Sequence, residues 1–217
     1  MADREPDHHR GLQRHAAPRN PGGHGKTLTT IWSRAIGSGL LLIAAHGAAS
    51  AEPPAVASLL TPLNLRGYAA GARPPGFTAR TADDRVLSLT ELRGRVVILN
   101  FWATWCLECR PEMPVLERLH RDLGPRGLAV VGVNARESSA TVRRYAQDLG
   151  LSFPLVLDPD GKVNALYGVV GLPTTFLLGR DGRAVALALG PREWASASGH
   201  AIIEAMLTEP TPPRDAR

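Results

Sequence analysis

The fold turns on the stretch Val96-Val97-Ile98-Leu99-Asn100-Phe101-Trp102-Ala103-Thr104-Trp105-Cys106-Leu107-Glu108-Cys109-Arg110-Pro111-Glu112. Val96 to Phe101 is a continuous apolar run of the kind found in a strand buried on both faces. The cysteine pair follows at once, and residues from about Cys106 to Leu123 read as helix. That geometry puts Cys106 at a helix N-terminus, where unpaired N–H groups and the helix dipole favour an anion. Thiolate is the reactive form of cysteine, so the Cys106 thiol is expected to ionise more readily than a free one. Cys109 lies at i+3 on the same face, within reach of a mixed disulfide formed at Cys106.

Outward from this stretch, strand and helix signals alternate. Phe77 to Thr81 and Val86 to Leu89 suggest a short hairpin. Ser88-Leu89-Thr90-Glu91 has capping-box spacing for one helical turn, ended by Gly94. Leu128 to Val133 is a second buried strand. Ser138 to Leu149, closed by Gly150, is an amphipathic helix with Val142, Tyr145, Ala146 and Leu149 on one face. A strand over Phe153 to Leu157, a turn at Asp158-Pro159-Asp160-Gly161 and a short helix over Val163 to Tyr167 follow. Thr174 to Leu178 and Ala184 to Leu189 read as strands joined by the tight turn Gly179-Arg180-Asp181-Gly182. Trp194 to Leu207 is the closing helix. The pattern predicts an α/β sheet covered on both faces, its antiparallel part supplied by the final hairpin.

The flanks read differently. Residues 1–30 are rich in Arg, His, Pro and Gly without apolar period, and His8, His9, His15 and His24 sit on no element that would array them around a metal. Arg34, an uncharged stretch through Leu40-Leu41-Leu42-Ile43-Ala44-Ala45, and Ala49-Ser50-Ala51 have the order of a secretory signal peptide cleaved after Ala51. The apolar run is short against the roughly 20 residues of a bilayer span; a retained membrane anchor is the alternative. Residues 1–51 are therefore read as a leader and 52–76, with Pro53, Pro54, Pro62, Pro74 and Pro75, as a flexible linker. The folded domain is expected over 77–207, with 208–217 a loose tail. The chain is 217 residues long and carries a formal charge of +5. The leader's six Lys/Arg face only Asp3, Glu5 and Asp7, so the rest is close to neutral and has no basic patch for nucleic acid.

The chain has two cysteines. Half of a zinc site would need ligands beyond His120 and His200. A haem attachment motif needs His where Arg110 stands. A structural disulfide closing so short a loop would gain little. Thiol–disulfide exchange is the reading that remains, with no cofactor beyond the Cys106–Cys109 pair and no metal.

Asn100-Phe101-Trp102-Ala103-Thr104-Trp105-Cys106-x-x-Cys109-Arg110-x-Glu112-x-Pro114 resembles the TlpA/ResA-like (CcmG/DsbE-like) family of extracytoplasmic thioredoxin-fold proteins. Gly171-Leu172-Pro173-Thr174-Thr175-Phe176-Leu177 matches that family's cis-proline loop. Gly132-Val133-Asn134 and the 138–157 stretch resemble its inserted helix and strand. The resemblance covers 77–207. It implies a thioredoxin-like fold: a mixed central sheet flanked by helices, with an N-terminal β-hairpin and an inserted αβ unit. It implies that Cys106 is the exposed nucleophile and Cys109 the resolving thiol. Pro173 would be cis, leaving the Leu172 backbone free to pair with a substrate strand. Glu112, at i+3 from Cys109, would tune thiol protonation, as a half-buried carboxylate of raised pKa can; a surface glutamate paired with Arg110 or Arg118 is the alternative. Trp105 would form part of the contact rim, while Trp102 reads as core.

The resemblance also implies a periplasmic location, protein thiol or disulfide clients such as apocytochrome c, and a membrane thiol electron donor. Glu108 departs from the family pattern, in which Pro often precedes the second Cys. An acid there opposes thiolate formation and leans the pair toward a reductant, modestly because of screening. A disulfide-forming oxidase or isomerase and a copper-handling assembly protein are the rival functions. Copper chaperones of related fold need a distant His and a wider cysteine spacing, and a peroxidase would need a peroxidatic Cys in a different motif.

Overall fold

The computed structural model describes residues 54–210; the leader and the tail beyond 210 lie outside the described residues. Among the described residues no helix is long and apolar enough to cross a membrane.

The central strand is β4 (Val96–Trp102), every residue of which is buried. Alternation along it sends side chains to opposite faces. Val96, Ile98 and Trp102 enter one apolar cluster, and Val97, Leu99 and Phe101 enter the other. Parallel to β4 runs β5 (Leu128–Ala135), and β6 (Leu155–Asp158) runs parallel to β5. On the other side β7 (Thr174–Leu178) and then β8 (Ala184–Leu189) pair antiparallel. A two-residue strand β1 (Arg66–Gly67) adds to the outer edge of β8, giving the order β1-β8-β7-β4-β5-β6.

On one face lie α1 (Pro54–Leu60), α2 (Glu112–Leu123), α3 (Ser139–Leu149) and α5 (Ala197–Thr208). Met113, Leu116, Leu119 and Leu123 of α2 recur at helical spacing and are all buried. Each such side chain contributes roughly 1.5–3 kcal/mol by leaving water. The other face is covered by the hairpin of β2 (Thr78–Arg80) and β3 (Val86–Ser88), a 3₁₀ turn over Leu89–Leu92, and α4 (Lys162–Leu166). The hairpin is a separate two-stranded sheet, tied to β6 by a Thr81–Val156 bridge.

Four expectations are corrected. The helix does not begin at Cys106: α2 starts at Glu112, with Pro111 at its N-cap. Residues 103–112 form successive tight turns, with Cys106 N–H donating to Ala103, Cys109 N–H to Cys106 and Glu112 N–H to Cys109. Pro111 favours a helix start and cannot sit well inside one. The 52–76 segment is not a linker from residue 54 onward. Val56, Leu63 and Leu65 are buried, and β1 extends the sheet. The closing helix starts at Ala197, capped by the Ser196 hydroxyl, so Trp194 precedes it. The capping spacing at Ser88 yields no cap bond; its hydroxyl pairs with that of Thr90. Ser138 and Gly150 do cap α3, Ser138 accepting from the Thr141 N–H and Gly150 taking a left-handed conformation.

Gly132 in β5 is a close approach. A Cβ there would lie 2.7 Å from the Trp102 indole nitrogen and 3.0 Å from Leu155 Cδ2. Trp102 is fully buried and packs against the tilted ring of Tyr145 with centroids 5.1 Å apart, so it has little room to yield. Gly132→Ala is expected to lower unfolding free energy by about 1–3 kcal/mol, as overpacking does, in a urea titration followed by tryptophan fluorescence; an unchanged midpoint would show that the indole can move.

Candidate active site

Strand register gathers the candidate residues at one end of the sheet. Phe101 near the end of β4 pairs with Thr174 at the start of β7, so the cysteine turns and the Leu172–Pro173 loop leave adjacent strands side by side. Trp102 pairs with Asn134 near the end of β5, which brings in the 136–138 connection. The exit of β8 joins them, because Gly190 N–H donates to the Pro173 carbonyl at 2.8 Å.

Cys106 and Cys109 are joined in a disulfide. Cys109 is 1% exposed and Cys106 7%, so the expected nucleophile is the more accessible sulfur but is not open to solvent. The neighbouring Trp105 and Leu107 stand out instead, 66% and 85% exposed. Approach to Cys106 is therefore past an apolar rim. The anion-favouring role expected of a helix terminus falls to a turn: Cys109 N–H points at Cys106 Sγ, 3.2 Å away. A backbone N–H so placed can also serve a thiolate.

Glu112 is 4% exposed, and neither Arg110 nor Arg118 is its partner. Its Oε1 accepts two bonds of 2.8 Å, from the Arg192 backbone N–H and the Trp194 indole N–H. Its Oε2 is buried with no partner. Loss of water on burial dominates, and the two bonds and the Arg192 charge offset it only in part, so the carboxyl is pushed from 4.5 up to about 7. The unpaired oxygen is where the proton of the neutral carboxyl can rest.

The Leu172–Pro173 peptide is cis. Among the described residues no backbone hydrogen bond engages Leu172, whereas Pro173 and Thr174 are already tied to Gly190 and Gly171. An extended segment could pair there without displacing a native bond. The same loop carries Val170, 95% exposed.

Glu137, Arg192 and Trp194 were not singled out from sequence. The Glu137 carboxylate accepts from the Thr104 N–H at 2.7 Å, the Thr104 hydroxyl and Asn134 Nδ2 at 2.7 Å. It pins the turn two residues before Cys106 from a loop 33 residues away. No local spacing signals such a contact. Trp194 carried a weak signal, a tryptophan at the mouth of the closing helix, which an indole seeking a buried acceptor would explain.

A model of the AhpC/TSA family matches residues 70–186. The chain is 38% identical over 122 residues to thiol-disulfide oxidoreductase ResA of Geobacillus thermodenitrificans, covering 56% of this chain and 70% of that protein. A thiol:disulfide interchange protein of the thioredoxin family from Chlorobium tepidum is similar in structure, with a TM-score of 0.58 at 28% identity over 64% of this chain and 99% of that one. A secreted thiol-disulfide isomerase from Corynebacterium glutamicum has a TM-score of 0.56 at 28% identity, covering 66% of this chain and 89% of that one. The fold is thioredoxin-like.

The raised Glu112 has a consequence for stability. The folded chain keeps a proton that the unfolded chain releases at 4.5. The stability linked to this group is full below that value and is lost as pH rises through about 7. The loss at high pH is on the order of 3 kcal/mol. Glu112→Gln is expected to remove this slope, so that urea unfolding at pH 5 and pH 8 shows the wild type losing stability relative to the variant. Parallel curves would mean that Glu112 is ionised throughout.

Proposed function

From the premise that the chain belongs to the AhpC/TSA family, we propose that it reduces disulfides of extracytoplasmic client proteins, with Cys106 attacking and Cys109 resolving. The observation that carries this reading is the Cys106–Cys109 disulfide followed three residues later by Glu112, a buried carboxyl bonded at one oxygen only.

In the reduced protein the Cys106 thiolate attacks one sulfur of a client cystine. The client S–S bond breaks, a mixed disulfide forms, and the departing client thiolate takes a proton from water. Cys109 then gives its proton to the Glu112 carboxylate and attacks Cys106 Sγ. The mixed disulfide breaks, the second client thiolate leaves and accepts a proton, and the Cys106–Cys109 disulfide remains. The client has gained two electrons, which an external dithiol must restore to the pair. A carboxyl near pH 7 is suited to this shuttling, because both protonation states are populated at neutral pH.

Trp105 and Leu107 supply apolar contact for the client segment, and the unpaired Leu172 backbone supplies strand-type hydrogen bonds. Reduction rather than oxidation is favoured by Glu108, an exposed acid within the motif that opposes thiolate accumulation on the reduced pair. An extracytoplasmic location is supported by the secreted relative and by the signal-like order of residues 34–51. Apocytochrome c is a client of the proposed kind, and a membrane dithiol a donor of the proposed kind. A peroxidase would require a peroxidatic cysteine in a different local motif, and both cysteines of the chain are taken by the Cys106–Cys109 pair.

The Cys109→Ala variant is expected to accumulate mixed disulfides with client proteins, released by dithiothreitol, while Cys106→Ala accumulates none. Equal trapping by both variants, or by neither, would refute the assignment. A reduction potential near the oxidising extreme of this fold, about −120 mV, would reverse the proposed direction.

A further inference from the structure

Both hydrogen bonds to Glu112 come from one short loop, residues 190–194, between β8 and α5. The position of that loop therefore decides how the carboxylate is held. Three observations show what holds the loop. Upstream, β1 pairs with β8, Arg66 opposite Leu187 and Gly67 opposite Ala186. Downstream, α1 packs against α5, with Val56 in the same buried cluster as Ile202, Ile203 and Met206. In the middle, the Arg192 guanidinium spans the two segments. One of its nitrogens donates to the Gly190 and Pro191 carbonyls at 3.2 and 2.7 Å, and the other donates to the Asn64 carbonyl at 2.9 Å.

Asn64 is itself well placed to receive that bond. It takes a left-handed conformation with φ of 49° after the 3₁₀ turn Thr61–Leu63, and Leu63 and Leu65 on either side are buried. The loop's second donor is fixed as tightly. Trp194 is 1% exposed, and Gly199 at the start of α5 sits so close that a Cβ would be 2.4 Å from the Trp194 carbonyl oxygen.

We propose that residues 54–67 act as a strap that positions Glu112, with Arg192 as the positioning residue that couples strap to acid. The proposal deepens the reading of Glu112 given above, and it concerns how the carboxyl is held rather than whether it serves exchange. The charged groups that reach Glu112 are Arg192, which favours its ionised form, and Glu193, which opposes it. The cysteines do not titrate while joined. Loosening the strap removes N–H donors and positive charge from a carboxylate that stays buried. The ionised form loses support, and the proton is held to higher pH.

The test is a carbon-13 NMR titration of the Glu112 carboxyl in the full-length oxidised protein, with no client present. Arg192→Ala is expected to move the midpoint upward by about half a unit or more, the scale of a lost charge-assisted contact. Arg192→Lys, which keeps a cation able to reach the Asn64 carbonyl, should restore most of it. Leu63→Ala, which weakens the strap's packing on α5 and alters no residue of the 190–194 loop, should move it in the same direction as Arg192→Ala. Arg126→Ala breaks the Arg126–Glu204 pair on α5 away from the loop and should leave the midpoint in place. An unmoved midpoint in both Arg192→Ala and Leu63→Ala, or an equal shift in Arg126→Ala, overturns the proposal. Failure of the exchange reading looks different: Glu112→Gln would then leave the pH profile of client reduction unchanged while the NMR shifts remained.

Discussion

A strand with no exposed residue can sit only in the middle of a sheet, covered above and below. Val96–Trp102 is such a strand, and its constraint propagates. Its two sets of alternating side chains demand two apolar layers, and the structure supplies four helices on one face and a hairpin with a short helix on the other. Its two neighbours, β5 and β7, pair along nearly its whole length. The segments that leave those strands at the Trp102 end must therefore meet, whatever their separation in sequence. The cysteine turns, the cis-proline loop and the Glu137 connection are brought together by this packing before any of them contacts another.

The chemistry at that end depends on incomplete satisfaction. The disulfide is buried while its chain neighbours Trp105 and Leu107 stand exposed, so a client meets an apolar rim beside it. Glu112 is bonded at one oxygen only. A carboxylate with every lone pair satisfied is a structural fixture, and one with none would be protonated at all relevant pH. Half-satisfaction leaves the proton near balance.

Much of this was legible in sequence because it is local. The two central strands, the α3 caps, the final hairpin with Thr174–Leu178 and Ala184–Leu189, and the spacing of Cys106, Cys109 and Glu112 all lie in patterns a few residues long. The misreadings have physical causes of two kinds. Pro111 competed with apolar periodicity for the helix start, and proline's fixed geometry won. The proline-rich 54–67 segment reads as linker because its few apolar residues have no period of their own. Val56, Leu63 and Leu65 find their partners on α5 and β8, more than a hundred residues later. Glu137 was missed for the same reason: its partner Thr104 is distant in the chain, and only the parallel pairing of β4 and β5 joins them.

Two buried glutamates on α2 show that residue type and burial alone do not identify a working acid. Glu117 is as inaccessible as Glu112, at 5% against 4%. Its Oε1 accepts from Arg121 Nε at 2.5 Å and the Ser152 hydroxyl at 2.6 Å, and its Oε2 accepts from the Ser152 N–H at 2.7 Å. Burial raises its pKa, but the Ser152 and Arg121 contacts outweigh that and hold it below the ordinary value. It stays ionised, joining α2 to the approach of β6. Glu112 has two donors on one oxygen, none on the other, and an opposing charge from Glu193. The same side chain five positions earlier on the same helix is thereby brought near neutrality at physiological pH. What separates the site acid from the structural one is a more deeply desolvated carboxyl with an unpaired second oxygen, and the loop that bonds its first oxygen is the loop the N-terminal segment holds in place.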